Sequence, residues 1–332
     1  MTAAAEQGGG DAQRASRLSS LQGTVAYAAL RILRALVTVW GCVTLVFLLV
    51  HVIPGDPIDA ILGDQASQED RVALRRALRL DRPLVAQYAA FLSDTLDGSL
   101  GHSYRQRDRE VSAMIAEVAP HTARLALAAM LIALGIALPL GIVAAARRGS
   151  GWDRAASALG MLGLAIPNIW LGPLLVLAFG VKLRILPLPG DDPAAPLALV
   201  LPALTVGTAL TAVLARQTRA AMIETLGQQY VLAATARGLS RMRVLLGYGL
   251  RNALLPILTV SAAQLSGLLS GAVITEKIFE RPGIGTLFLE AFFDRDIPVV
   301  QGCVLVIAAV YVAVNLLLDI AYGLADPRVR LG

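Results

Sequence analysis

The sequence predicts an all-α polytopic membrane protein with six transmembrane helices and both termini in the cytoplasm. Three observations carry this. Of the 332 residues, 56% are hydrophobic and only 16% charged, where an ordinary soluble domain carries about 25% charge. The apolar residues gather in six runs, each near the roughly twenty residues that cross about 30 Å of hydrocarbon. Arginine is concentrated in alternate loops, the pattern left when basic loops stay on the cytoplasmic side. That bias also accounts for the net charge of +5 without a nucleic-acid partner.

The runs lie at about 35–53, 125–146, 155–180, 197–215, 253–275 and 297–318. Arg14, Arg17, Arg31 and Arg34 precede the first, and Arg147, Arg148 and Arg154 follow the second. Arg216, Arg219, Arg237, Arg241, Arg243 and Arg251 follow the fourth, against the single acid Glu224, and Arg328 and Arg330 follow the last. The loop after the fifth run is the reverse: Glu276, Glu280, Glu290, Asp294 and Asp296 outnumber Lys277, Arg281 and Arg295. Residues 1–28 are polar and glycine-rich and lack the apolar core of a cleaved signal peptide. They read as a disordered cytoplasmic tail, which leaves 29–332 as one transmembrane domain.

The loop at 54–122 is long enough to be translocated whatever its charge, so it is expected outside. It carries two helix signals. In "SQED", Ser67 is a candidate N-cap with Asp70 at the third position. In "DRPLVAQYAAFL", Asp81 is the candidate cap, Pro83 falls in the first turn, and Gly98 ends the helix.

The spans exclude several functions. Between His51 and Asp319 no run contains Asp, Glu, Lys or Arg, so proton relays and voltage sensing lack their charges. Catalytic and metal sites are not expected: the only lysines, Lys182 and Lys277, lie outside the runs, and no Cys/His spacing or H-E-x-x-H occurs. Nor does either lysine follow glycine, as a phosphate-binding loop requires, so ATP hydrolysis would need a separate subunit. Neutral polar residues remain. Asn168, Gln264 and Asn315 are candidates for lining a path, beside the commoner role of bonding to neighbouring helices. Pro167 breaks the third run and frees carbonyls toward a cavity or neighbour. Gly267-x-x-x-Gly271 would let helices approach closely.

The most informative stretch is basic and cytoplasmic, "QQYVLAATARGLSRMRVLLGYGLRNALLP" at 228–256. A short helix over 228–237 would stop at Gly238 in a left-handed cap, and a second would start near Ser240. Ala233, Ala234 and Ala236 keep the first helix thin enough to enter a cleft. Tyr230 supplies an aromatic anchor, and Arg237 can hold acidic groups.

Ala233-Ala234-x-x-x-Gly238 resembles the "EAA…G" loop of ABC importer permeases. Leu232 stands where that family usually has Glu, and "RNALLP" replaces its I-x-L-P tail. Both departures fit the branch that carries dipeptides, oligopeptides and nickel, whose Y-x-x-x-A-x-A-x-G-L-S…L-R-N-A-x-x-P is similar to residues 230–256. "IPGDP" at 53–57, "LDRP…QY", "GSLGHS", "FERPGIGTL" at 279–287, "RDIPVVQG" at 295–302 and "LLLDIAYGLADPRVR" at 316–330 resemble the same branch in order. The long first outer loop is similar to the B-type permease of the pair.

The resemblance implies a type I ABC importer permease fold and a place in the bacterial cytoplasmic (inner) membrane. It implies four partners: a C-type permease, two ABC ATPase subunits that bind ATP and Mg, and an external solute-binding protein. This chain would bind no cofactor and catalyse nothing. The loop at 223–251 would couple to an ATPase through Tyr230, Ala233, Ala234, Arg237 and Gly238. The cargo would be di- or oligopeptides, with a nickel complex or other small solute as the alternative within the branch. Glu276, Arg281 and Asp296 would either meet the binding protein or form local salt links. A passive channel or secondary carrier is the reading from another class, and a purely structural scaffold is a third.

Overall fold

The computed structural model describes residues 33–34, 36–48, 56–62, 66–193 and 195–325. The N-terminal tail, most of "IPGDP" and the last part of the C-terminal motif lie outside them. Among the described residues the fold is helical, with one isolated bridge between His102 and Glu110.

Helix α1 (Leu36–Leu48) is a short apolar helix. Three small helices follow: α2 (Pro57–Leu62), α3 (Gln68–Ala77) and α4 (Leu84–Leu96). Ser67 caps α3, its hydroxyl accepting from the Asp70 N–H at 3.1 Å. Helix α4 departs from the expected start. Pro83, not Asp81, is its N-cap, because the Pro83 carbonyl accepts from both Ala86 and Gln87. At its far end Gly98 takes φ +83°.

The long helices are α5 (Val111–Ala146), α8 (Val200–Leu226), α11 (Arg251–Gly271) and α14 (Ile297–Ala325). Among the described residues, four helical segments suit a membrane crossing by length and composition. The third apolar run is not one straight span. It divides into α6 (Gly151–Ala165) and α7 (Asn168–Leu175), bent by 97°. The bend sits at Pro167, which has no N–H to continue α6 and instead opens α7 from an extended backbone. Helix α7 runs on as a π-helical segment, Val176–Lys182. Counted as one span, this bent pair makes five.

Helices α5 and α8 form the spine. Ala126, Ala129, Ala133, Ala137, Gly141 and Ala144 recur every three or four residues on α5, which is one helix face, and the alanines among them are buried. Small residues let two backbones approach, and in lipid that approach is itself the attraction, since no water is released. At Gly141 a Cβ would stand 2.5 Å from the Thr218 Cβ and 2.8 Å from the Ala215 carbonyl oxygen. At Gly207 a Cβ would lie 3.2 Å from the Ala129 oxygen. The contacts rise together along both chains, so the helices are parallel. The close-approach glycines are therefore Gly141 and Gly207. A Cβ at Gly267, in the motif expected to serve that purpose, meets no atom within 4 Å.

Helix α5, about 54 Å long at 1.5 Å per residue, sets the two ends of the molecule. Its start touches the first turns of α14, where a Cβ on Gly302 would fall 2.4 Å from Val111. Its last carbonyl, on Ala146, accepts from Arg241 at 3.0 Å. The small helices α3 and α4 thus sit at one end, and the basic stretch after α8 at the other.

Gly141→Ala is expected to force the spine apart and lower the thermal midpoint of the detergent-solubilised protein by several degrees, as overpacking usually costs about 1–3 kcal/mol. Gly135→Ala on the same helix meets open space and should leave the midpoint unchanged or slightly raised. Equal midpoints for the two variants would refute the spine.

Candidate functional site

After α8, Gly227 and Gln228 turn the chain into α9 (Gln229–Ala236). The helix ends where its glycine stands: Gly238 has φ +79°, and its N–H donates to Thr235 at 3.0 Å while Leu239 donates to Ala234 at 3.4 Å. A Cβ on Gly238 would meet nothing within 4 Å, so the demand for glycine is conformational rather than steric. Ser240 then caps a single turn, α10 (Arg241–Arg243), which passes through the π-helical segment Val244–Leu250 into α11.

Helix α9 has two faces. Val231 and Ala234, each 3% exposed, point into the chain. The helix packs on the π-helical segment and on the end of α8. Tyr230, Ala233 and Arg237, at i, i+3 and i+7, share the adjoining face and are exposed. Of the five residues assigned to coupling, Ala234 therefore lies on the inner face. It positions the helix against its own chain, while the other four are open to a partner.

The candidate path residues fall on different helices. Pro167 and Asn168 sit at the α6–α7 bend, where α7 packs on α8 and α12 (Val273–Ile278). Gln264 lies on α11 and Asn315 on α14, two helices that pack together. The Asn315 amide donates back to the Tyr311 carbonyl at 2.8 Å, which occupies one of its donors within its own helix.

Glu276, Arg281 and Asp296 were expected either to meet the binding protein or to form local salt links. Their side chains are 1%, 5% and 4% exposed, so a partner would meet the backbone around them rather than their charges. The Glu276 carboxylate accepts from the Thr122 hydroxyl at 2.6 Å and from the Thr286 N–H at 3.1 Å. Thr122 in turn accepts from the Ile284 N–H at 2.9 Å. This knot joins α12, α5 and α13 (Ile284–Phe293). It also explains "RPGIGT": a Cβ on Gly283 would stand 2.1 Å from the Glu276 carboxyl carbon, and one on Gly285 would stand 2.8 Å from its oxygen. The backbone has to be bare to wrap the carboxylate. The Arg281 guanidinium donates to the Pro193 and Ala198 carbonyls at 3.1 and 3.3 Å. Burial pushes its pKa below the ordinary value, and Glu276 opposes that shift.

Asp296 is a second knot. It accepts from the Ser103 hydroxyl, the Tyr104 N–H at 2.9 Å and the Arg105 N–H at 3.4 Å, which pins the loop before α5 to the start of α14. Burial and the charge of Asp296 raise the Tyr104 phenol to about 12. A third knot escaped the sequence reading. Asp153 on α6 takes a bidentate contact from Arg219 on α8, at 2.6 and 2.9 Å, the strong form of such a pair. Its signal was Ser150 three residues earlier, whose hydroxyl caps α6.

A family model described as "Binding-protein-dependent transport system inner membrane component" matches residues 137–331. A model of the N-terminal part of such components matches residues 25–126. The chain belongs to this family. It is 36% identical to the dipeptide transport system permease protein DppB of Escherichia coli (strain K12), over 87% of this chain and 94% of that one. It is 39% identical to the di/tripeptide transport system permease protein DppB of Pseudomonas aeruginosa (strain UCBPP-PA14), over 88% and 95%. A chain from an inward-facing structure of the MetNI methionine ABC transporter superposes with a TM-score of 0.51 at 18% identity. That match covers 63% of this chain and 92% of that one, and it concerns the fold alone. In this transport family member the helical bundle is thus a multi-pass membrane permease, and the buried knots serve its architecture.

The Glu276 knot makes a coupled prediction. Glu276→Ala leaves buried donors without an acceptor and should cost about 1–3 kcal/mol per group, read as a lower thermal midpoint. Gly283→Ala should destabilise by clashing with the same carboxylate. The double variant should then be no less stable than Glu276→Ala alone. Additive losses would show that the clash lies elsewhere.

Proposed function

We propose that this chain is a B-type permease subunit of an ATP-driven ABC importer that carries di- or oligopeptides across the bacterial cytoplasmic membrane. The observation that carries the reading is the exposed face of α9, held on its inner side by Val231 and Ala234 and stopped by the left-handed Gly238. A short helix that ends at Arg237 and turns an exposed face away from its own chain is built to be pushed. The names of the relatives, dipeptide and di/tripeptide permeases, support the cargo.

In this reading the chain crosses the membrane six times, with both termini and α9 in the cytoplasm and the small helices α3 and α4 outside. It pairs with a second, C-type permease, two ABC ATPase subunits and an external solute-binding protein. ATP and Mg reside on the ATPases, and this chain makes and breaks no covalent bond. When the ATPases close, α9 moves with them. Val231 and Ala234 pass the motion to the π-helical segment Val244–Leu250 and so to α11. A π turn has an extra residue and poorer hydrogen-bond geometry, so it is a local place for α11 to shift. The α5–α8 spine moves as one body. The α6–α7 bend at Pro167, with Asn168, and the α11–α14 pair with Gln264 and Asn315 line the path. Neutral residues there suit a zwitterionic cargo whose sequence varies.

Isolation of the chain from its native membrane in mild detergent tests this. Two ATPases and a second permease should accompany it. An intact preparation containing this chain alone would favour the channel reading. In uptake of a labelled dipeptide, Gly238→Asp is expected to reduce transport at least tenfold at unchanged membrane abundance. The substitution burdens the left-handed position and adds a negative charge beside the docking face. Full uptake by this variant, or uptake that survives complete ATP depletion, would count against the reading.

A further inference from the structure

The end of the molecule opposite α9 contains a cavity of about 570 Å³ between α4, the loop that follows it and the first turns of α14. That volume lies in the range of sites for small organic ligands and far exceeds an ion. Its most telling lining residue is Gln301. The side chain is 95% buried, faces the cavity, and makes no hydrogen bond among the described residues. Its amide is not sealed in protein: the polar atoms open onto the cavity, where an occupant can bond them.

Five charged residues and His102 line it; Asp97 accepts from the Ser99 N–H and Glu110 from the Ser112 hydroxyl, and the other three are uncommitted. The half-buried Asp94 carboxylate accepts no hydrogen bond, and the guanidinium groups of Arg79 and Arg107 join no ion pair among the described residues. Both signs thus line one space without neutralising each other. Arg79 holds a left-handed backbone, φ +59°, at the cavity edge. Tyr104 adds a phenol that burial and Asp296 keep protonated, hence a donor, with a pKa of about 12. Phe91 supplies an apolar wall.

A simple anion would face Asp94, Asp97 and Glu110, and a simple cation would face the Arg79 and Arg107 guanidinium groups. A molecule with one charge of each sign satisfies both. We propose that this cavity binds a small zwitterion, an α-amino acid or a short peptide with free termini. Its ammonium would sit at Asp94, its carboxylate at Arg79 and Arg107, an amide or other polar group at Gln301, and its side chain against Phe91. The site lies away from the residues assigned to the translocation path. It does not depend on the importer reading, since binding is measured on the chain without ATP or a binding protein.

The test is equilibrium binding of radiolabelled leucine and dileucine to the purified full-length chain in lipid nanodiscs. Saturable binding near one per chain is expected, and the tighter of the two probes distinguishes an amino-acid site from a peptide site. Acetylating the amine should weaken binding of the preferred probe at least tenfold in the wild type but add little in Asp94→Asn. Amidating the carboxylate should do the same, with the effect absent in the Arg79→Gln, Arg107→Gln double variant. These three side chains lie at or near the surface, so their removal leaves the fold in place, whereas Gln301→Leu is read only after its thermal midpoint is checked. No saturable binding of either probe at millimolar concentration would overturn the proposal. So would wild-type binding that the Asp94 and arginine variants leave unchanged.

Discussion

The close parallel contact between α5 and α8 is the constraint on which the rest of the structure depends. Water-driven burial cannot hold helices together in lipid, so the contact must come from fit. Alanines on one face of α5, with Gly141 and Gly207 at the tightest crossings, provide that fit. The consequence is directional. Because the helices are parallel, the end of α8 emerges beside the end of α5, and α9 is therefore anchored at the same end as the Ala146 carbonyl that Arg241 caps. A cation on the last carbonyls of a helix also opposes its dipole favourably.

The buried charges make sense against this spine. Packing by small residues resists separation but specifies sliding poorly, since one alanine resembles the next. Each knot fixes one position along the axis. Thr122–Glu276 sets α5 against α12 and α13, Asp296 sets the loop before α5 against α14, and Asp153–Arg219 sets α6 against α8. All three sit toward helix ends rather than mid-span, where an ion would be most costly. Removing one side leaves an uncompensated charge in the Asp153–Arg219 pair and unmatched buried donors or a less satisfied carboxylate in the other two.

Much of this organisation was legible in the sequence, and the failures have physical causes. The apolar runs, the Ser67 cap and the stop at Gly238 were readable because each depends on local chemistry. The spine was not. In a chain surrounded by lipid every face is apolar, so the periodicity that marks a buried face in a soluble helix disappears, and Gly267 looked as good a contact as Gly141. The burial of Glu276 was hidden for another reason. Its partner Thr122 is 154 residues away, and an acid in a charged loop reads as exposed until its partner is known. The two glycines of "PGIGT" were the available clue, since bare backbone at that spacing is what a wrapped carboxylate requires. That Ala234 faces inward was not readable, because a run of alanines does not reveal which of them is buried.

The same physics divides the molecule into parts that hold and parts that give. The end bearing α3, α4 and the Glu276 and Asp296 knots is crossed by hydrogen bonds between segments distant in sequence, and these make it stiff. The other end has α9, a one-turn helix, and a π-helical segment containing Gly247 and Gly249. Around α9 itself the contacts are apolar and local, such as Val231 and Ala234 against their neighbours, while the Asp153–Arg219 pair and the Arg241–Ala146 bond tie α6, α8 and α5 beside it. A shift of α9 therefore deforms the π-helical segment before it disturbs the spine, because apolar contacts re-form at a new register while a buried carboxylate cannot leave its donors. In an importer, that asymmetry would let a push at one end become a rotation of α11 against a fixed α5–α8 pair. The neutral residues Gln264 and Asn315 would move with it while the outer cap stayed assembled.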